Sequence, residues 1–322
     1  MPAPTLVSRT DPLTVGALIS TVLAHITTPT RTGDTWSFEY LGRTIDGTVA
    51  ESIDLLSECL YLTRHAKTVD VFDDDQAKRA IADHSSTRSA LSARLDELFA
   101  ARTFAVRVPG RCTAEGRFVL IHRGLTLHCG PERIVGGDDD SGYEMLVEHY
   151  SAAVSPGFFY VYGPGTLDRQ SHYSERTYIA VTEADAVVEL APVLVAALDA
   201  LGLGYNVKFL TDERSYPRTD TVTVYHDCAE QVNSAIESVL ATSATVTGPV
   251  SDYCVSVAPG VGRAQEPVGR YAGTRSFGQH RSRLLAEAAL RILTDGEDPV
   301  ATGSRLAHEY RVDSTCIALN RS

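Results

Sequence analysis

The sequence predicts an α+β protein: a helical N-terminal part packed on an antiparallel or mixed sheet core. Two observations predict it. Up to about residue 100, apolar residues recur at helical spacing. Beyond that point, short runs rich in β-branched and aromatic residues are punctuated by Pro and Gly. The division gives a mainly helical subdomain over residues 1–100 and an α+β core over 101–322.

Asp11-Pro12 opens a first helix, with acid and proline at its start and Leu18, Val22 and Ile26 four apart. Residues 36–40 alternate as a strand and place the only tryptophan, Trp36, in the core. Ile53, Leu56 and Leu60 mark a second amphipathic helix; Leu91, Leu95 and Leu98 mark a third. Runs 104–108, 117–121, 158–162, 177–181, 205–210 and 221–225 read as strands. Thr182 and Asp185 form a candidate capping pair for a helix over 184–201, ended by Gly202 and Gly204. Helices over 229–240 and 276–293 follow.

Composition narrows the function. A net charge of −12 and a pI near 5.3 argue against nucleic acid as the partner. Mean hydropathy is −0.07, and no run approaches the ~18–20 apolar residues of a membrane helix. Met1-Pro2-Ala3-Pro4 lacks the basic and apolar regions of a secretory signal, so the cytosol is the expected compartment. Six cysteines without a Cys-x-x-Cys pair point to buried free thiols rather than zinc or disulfides. The Gly260-Val261-Gly262 run lacks the third glycine of a dinucleotide fingerprint, and no Walker A, His-Glu-x-x-His or Gly-x-Ser-x-Gly motif occurs.

The basic residues are uneven in kind. Of 29, only three are lysines: Lys67, Lys78 and Lys208. Lysine can act as a base once burial or cationic neighbours lower its pKa, whereas arginine stays charged. Lys208, alternating with Tyr205, Val207 and Phe209 on a strand, is therefore either a catalytic base or a lysine on a solvent-facing sheet surface. Arg218 lies ten residues on, where a hairpin brings it to the same sheet end, with Asp220 either orienting it or forming a surface pair. Arg176 and Tyr178 share a strand face, and a guanidinium is a common grip for phosphate. His172 is a nearby candidate acid or a solvated loop histidine. Residues 251–291 hold six arginines against three acids. Within them Ser276 caps a helix whose first turn carries Gln279, His280 and Arg281, cations at an end that favours anions. A bound anion or a salt bridge to the acidic N-terminal half would resolve that conflict.

Several of these segments resemble the HopA-type effector family. They are Pro156-Gly157-Phe158-Phe159-Tyr160, Arg176-x-Tyr178, the Lys208 strand with Tyr216-Pro217-Arg218-Thr219-Asp220, Ala258-Pro259-Gly260-Val261-Gly262, and Ser276-Phe277-Gly278-Gln279-His280-Arg281. The family includes bacterial homologues encoded beside kinases in class V lanthipeptide and thioamitide-type peptide biosynthesis. The resemblance covers roughly residues 100–295; the chain departs from it at Tyr160-Val161-Tyr162 and at 249–253, where a second lysine is missing.

The resemblance implies a fold like that of phosphothreonine lyases, and a lyase acting on phosphoserine or phosphothreonine in a peptide made by a partner kinase. It implies no cofactor and no metal. Lys208 would be the base, and His280 the acid with His172 as the second candidate. Arg176, Arg218, Arg281 and Arg275 would bind phosphate, supported by Tyr178, Asp220 and Ser276. The competing reading is a non-catalytic partner that binds the precursor peptide for the kinase. A third, an effector injected into host cells, calls for a longer polar N-terminal tail than residues 1–12 supply.

Overall fold

The structure, a computed structural model, describes residues 13–68, 89–122, 124–152, 154–164, 173–243 and 248–321. Helix α1 (Val15–Ala24) starts at Thr14, whose hydroxyl accepts from the Ala17 amide. It buries Val15, Leu18, Ile19 and Val22, while Ile26 leaves the helix to bridge Tyr40. The expected opening at Asp11-Pro12 lies outside the described residues. Strands β1 (Thr30–Thr32), β2 (Thr35–Tyr40) and β3 (Arg43–Gly47) form an antiparallel sheet. Phe38 and Tyr40 enter the core, and Trp36 does not: it is half-exposed, under the Arg31 guanidinium at 5.5 Å.

A reciprocal Thr48–Glu51 capping box starts α2 (Val49–Leu60), which runs straight into a π-helical turn, Tyr61–Ala66. Helix α3 (Ala90–Phe99) buries Leu91 and Leu95 and exposes Leu98. A small lobe follows: β4 (Thr103–Val108), β5 (Gly110–Cys112), β6 (Phe118–His122), β7 (Leu125–Cys129), β8 (Ile134–Asp138) and β9 (Gly142–Glu148). They make two three-stranded sheets, β4-β9-β8 and β5-β6-β7, around Val108, Leu120, Tyr143 and Met145.

The remaining elements are β10 (Tyr150–Ser151), β11 (Phe158–Tyr162), β12 (Glu175–Ile179), α4 (Ala184–Ala200), β13 (Tyr205–Leu210), β14 (Val222–His226), α5 (Ala229–Thr242), β15 (Val255–Ala258) and β16 (Val261–Gln265). The chain closes with α6 (Phe277–Asp295), α7 (Pro299–Glu309), β17 (Val312–Asp313) and β18 (Cys316–Asn320). Strands β10-β11-β13-β14-β12-β16-β15 form a seven-stranded sheet, antiparallel at every pairing. Fold class is thus α+β.

Strand alternation splits this sheet into two chemically different faces. Phe159, Val161, Val207, Phe209, Val222, Val224 and Ile179 pack with α3, α4 and α5. On the other side Tyr178 and Ala264 join a core built by α1, α2, α6 and α7. Strand β12 ends two residues before the expected run because Ala180 and Val181 donate to the Gly260 carbonyl and the Thr221 hydroxyl instead. The expected Thr182–Asp185 cap does not form: Glu183 is the N-cap without a side-chain bond, and Asp185 pairs with Arg94.

All six cysteines are free, but only Cys59 and Cys316 are buried; Cys112 is exposed. Among the described residues no helix is long and apolar enough to cross a membrane.

Candidate active site

Register places the chemistry on the second face. Lys208 lies opposite Tyr160 on β11 and Thr223 on β14; Thr223 in turn lies opposite Tyr178 on β12. Two residues along β13, Asn206 faces Tyr162 and Tyr225, and Tyr225 faces Arg176. The period of two carries Arg176 and Tyr178 to one side, as their spacing predicts, and the register across β14 adds Lys208 to that side. The Lys208 ammonium sits 3.5 Å from the Phe158 ring centroid. Burial pulls its pKa down to about 8; Arg176 and Arg218 add to the shift and Asp220 opposes it.

The β13–β14 connection delivers the predicted Arg218–Asp220 pair. Arg218 donates from Nε and Nη2 to the two Asp220 carboxylate oxygens at 2.7 and 2.8 Å. Burial alone would raise the Asp220 pKa; Arg218 overrides it and holds the carboxyl below its ordinary value. Tyr61 closes the unit, donating to Asp220 at 3.1 Å and accepting from Arg218 at 2.9 Å. Arg176 is held likewise. Its Nε and Nη2 donate to Glu266, its Nη1 to the Tyr178 hydroxyl at 3.1 Å, and its guanidinium lies 4.8 Å from the Tyr225 ring centroid.

The π-helical turn adds a histidine that sequence reasoning missed. π turns are rare and favour functional positions. Here the turn is anchored by Thr219, whose amide donates to the Ala66 carbonyl and whose hydroxyl donates to the His65 carbonyl. His65 Nδ1 lies 2.8 Å from the Ser251 hydroxyl, and Nε2 lies 4.0 Å from Asp220. Rings of Tyr178, Tyr253 and Phe277 surround the imidazole. Burial lowers its pKa to about 4: Asp220 counters that shift, and Arg218, Arg176 and Lys208 reinforce it. Gly278, next to the Ser276 cap, is what admits the ring: a Cβ there would stand 2.7 Å from His65 Cγ. That glycine, and Tyr61 and His65 spaced four apart beyond the α2 stripe, are the only signals the sequence offered.

The start of α6 is built differently from expectation. Ser276 does cap the helix, through a box with Gln279. Arg281, however, is fully buried and donates to the Ile317 and Leu319 carbonyls and to Asn320 of β18, and from Nη1 to His280 Nδ1. His280 Nε2 lies 2.8 Å from the Arg270 carbonyl, and burial beside Arg281 drops its pKa to about 3. Backbone carbonyls and the Asn320 side chain thus answer the Arg281 charge, and His280 is neutral. Arg275 is half-exposed on the Tyr271 ring and faces Asp54 at 3.8 Å; Arg283 also pairs with Asp54. His172 lies outside the described residues.

The assembled groups are a lysine in the range of a base, a neutral imidazole and two arginines oriented by carboxylates. Among the described residues no cluster of three or more His, Cys, Asp or Glu is suited to a metal ion. No curated protein matches the chain. A solved structure of the effector protein from Pseudomonas syringae pv. tomato strain DC3000 superposes on 85% of this chain and 91% of its own, with TM-score 0.45 and 12% identity. The effector protein from Pseudomonas syringae pv. syringae strain 61 matches 51% of this chain, with TM-score 0.41 and 16% identity. This chain spans 63% of that effector's length. The model of the HopA1 effector protein family matches residues 150–311, half of the chain, and that span holds Lys208, Arg176, Arg218 and Asp220. The chain belongs to the HopA1 effector protein family.

Proposed function

We propose that the chain is a phosphothreonine or phosphoserine lyase. It acts on a precursor peptide phosphorylated by a partner kinase, as the HopA-like component of class V lanthipeptide or thioamitide-type peptide biosynthesis. The observation that carries this reading is Lys208. The lysine stands on a sheet face beside Arg176 and Arg218, with its pKa near 8. The related phosphothreonine lyases supply the reaction class.

In the proposed step, neutral Lys208 Nζ takes the substrate's Cα proton. The electron pair left behind forms the Cα–Cβ double bond, and the Cβ–O bond breaks with release of phosphate. Dehydroalanine or dehydrobutyrine remains in the peptide. The elimination is redox-neutral and needs no electron carrier. Arg176 and Arg218 take charge growing on the leaving phosphate. Arg176 and Arg218 keep their guanidinium charge beside Glu266 and Asp220, and a phosphate monoester dianion can complement or displace those carboxylates. The incoming dianion also raises the pKa of His65 from about 4, so that it carries the proton to the leaving oxygen. In this reading His65 replaces His280, whose two nitrogens are engaged elsewhere.

The test is mass spectrometry of a kinase-treated precursor peptide incubated with the wild-type protein and with Lys208→Ala. Loss of one phosphoric acid with the wild type alone is the expected result. Intact phosphopeptide that remains bound, with or without the kinase present, would instead make the chain a recognition subunit.

A further inference from the structure

The part of the Lys208 face not covered by α6 and the π turn is an aromatic row. Phe158, Tyr160 and Tyr162 project from β11 at the strand period, with the two tyrosine rings stacked at 6.4 Å. Tyr225 adds a fourth ring across β13, and all four residues are half-buried, where Tyr178, Thr223 and Arg176 beside them are closed off.

Asn206 sits in the middle of this row, paired with Tyr162 on one side and Tyr225 on the other. Asparagine is disfavoured in strands, and this one is costly: its side-chain oxygen is shielded from water and takes no hydrogen bond. The same face carries Lys208 two residues further on, about 7 Å along the strand. That is also the rise of two residues of an extended peptide.

We propose that Asn206 and the rings of Tyr160, Tyr162 and Tyr225 form a subsite for the peptide flanking the phosphoresidue. Asn206 Oδ1 accepts a main-chain N–H two residues from the residue whose proton Lys208 removes, and the rings seat the side chain there. The subsite rests on the lyase reading and deepens it. It makes the substrate an extended peptide rather than a free phosphoamino acid, and it tolerates sequence because the hydrogen bond reads backbone. Parting of the tyrosine rings exposes the shielded oxygen on binding.

The probe is a short fluorescein-labelled alanine peptide with one central phosphothreonine. It is titrated by anisotropy against full-length Lys208→Ala protein, which leaves it intact, with and without Asn206→Ala or Tyr162→Leu. Inorganic phosphate is titrated in parallel by calorimetry. Asn206→Ala should weaken peptide binding about tenfold, as loss of one hydrogen bond in a shielded site does, and leave phosphate binding unchanged. Tyr162→Leu should weaken the peptide alone by a smaller factor. Unchanged peptide affinity in Asn206→Ala overturns the subsite, and so does equal weakening of peptide and phosphate. Displacement of the peptide by AMP that depends on Asn206 would reassign the row to a nucleobase and also overturn it. If the peptide–phosphate split appears while the wild-type protein eliminates nothing, the lyase reading falls and the subsite stands.

Discussion

Buried arginines occupy two settings near the N-terminal end of α6, and the settings differ in what answers the charge. On the sheet, Arg176 and Arg218 face Glu266 and Asp220, carboxylates that an incoming anion can complement or displace. At Arg281 the partners are carbonyls of Ile317 and Leu319, part of the backbone of β18. A guanidinium tied to its own fold cannot be lent to a substrate without unpairing that strand. In the proposed function, the same residue types therefore give chemistry in one place and architecture in the other. The counter-group decides which.

Substitutions should separate the two. Lys208→Ala should cost elimination about 10²–10⁴-fold, the usual range for a positioned base, with the urea midpoint unmoved. Arg281→Met should do the reverse. It leaves the β18 carbonyls without donors and should destabilise the protein by about 2–3 kcal/mol in urea unfolding, well beyond any direct effect on turnover.

The pH dependence sharpens the contrast. Turnover should climb with pH, pass half of its plateau near pH 8 as Lys208 loses its proton and level off above that, and a profile flat across that range would exclude Lys208 as the base. Stability should fall with acid. Burial brings His65, His226 and His280 to about 4, about 4 and about 3, from an ordinary 6.5. Their folded-state pKa values are depressed, so the unfolded chain binds more protons below pH 6.5, and stability is lost as the pH falls towards 4. His226→Gln should flatten this slope in urea titrations taken at several pH values without altering the turnover profile. The smallest effect belongs to Arg275→Ala. Its half-exposed pairing with Asp54 is worth at most about 1 kcal/mol, and phosphate release should stay near wild type.

The sheet side of the site was largely legible. Strands 158–162 and 205–210 fall where β-rich runs between Gly and Pro place them, and alternation alone puts Arg176 and Tyr178 on one face. The Arg218–Asp220 pair is local, two residues apart, so a turn was enough to foresee it. His65 was not legible. It reaches the site through a π turn, and the neighbouring Tyr61 meets Asp220 across 159 positions of sequence. Arg281 misled for the same reason: its partners lie 36 or more positions away in a strand that no local pattern links to it. Local period and spacing revealed which residues share a face. Partners brought together by packing needed the fold.

The most direct measurement is phosphate release from one phosphothreonine peptide by Lys208→Ala, His65→Gln and His280→Gln, each with its melting temperature. The account predicts that Lys208→Ala and His65→Gln lose turnover at temperatures where each is fully folded. His280→Gln should melt earlier yet still eliminate phosphate at temperatures where it is folded. Loss of turnover in a fully folded His280→Gln, with His65→Gln active, would contradict it and return the chemistry to the start of α6.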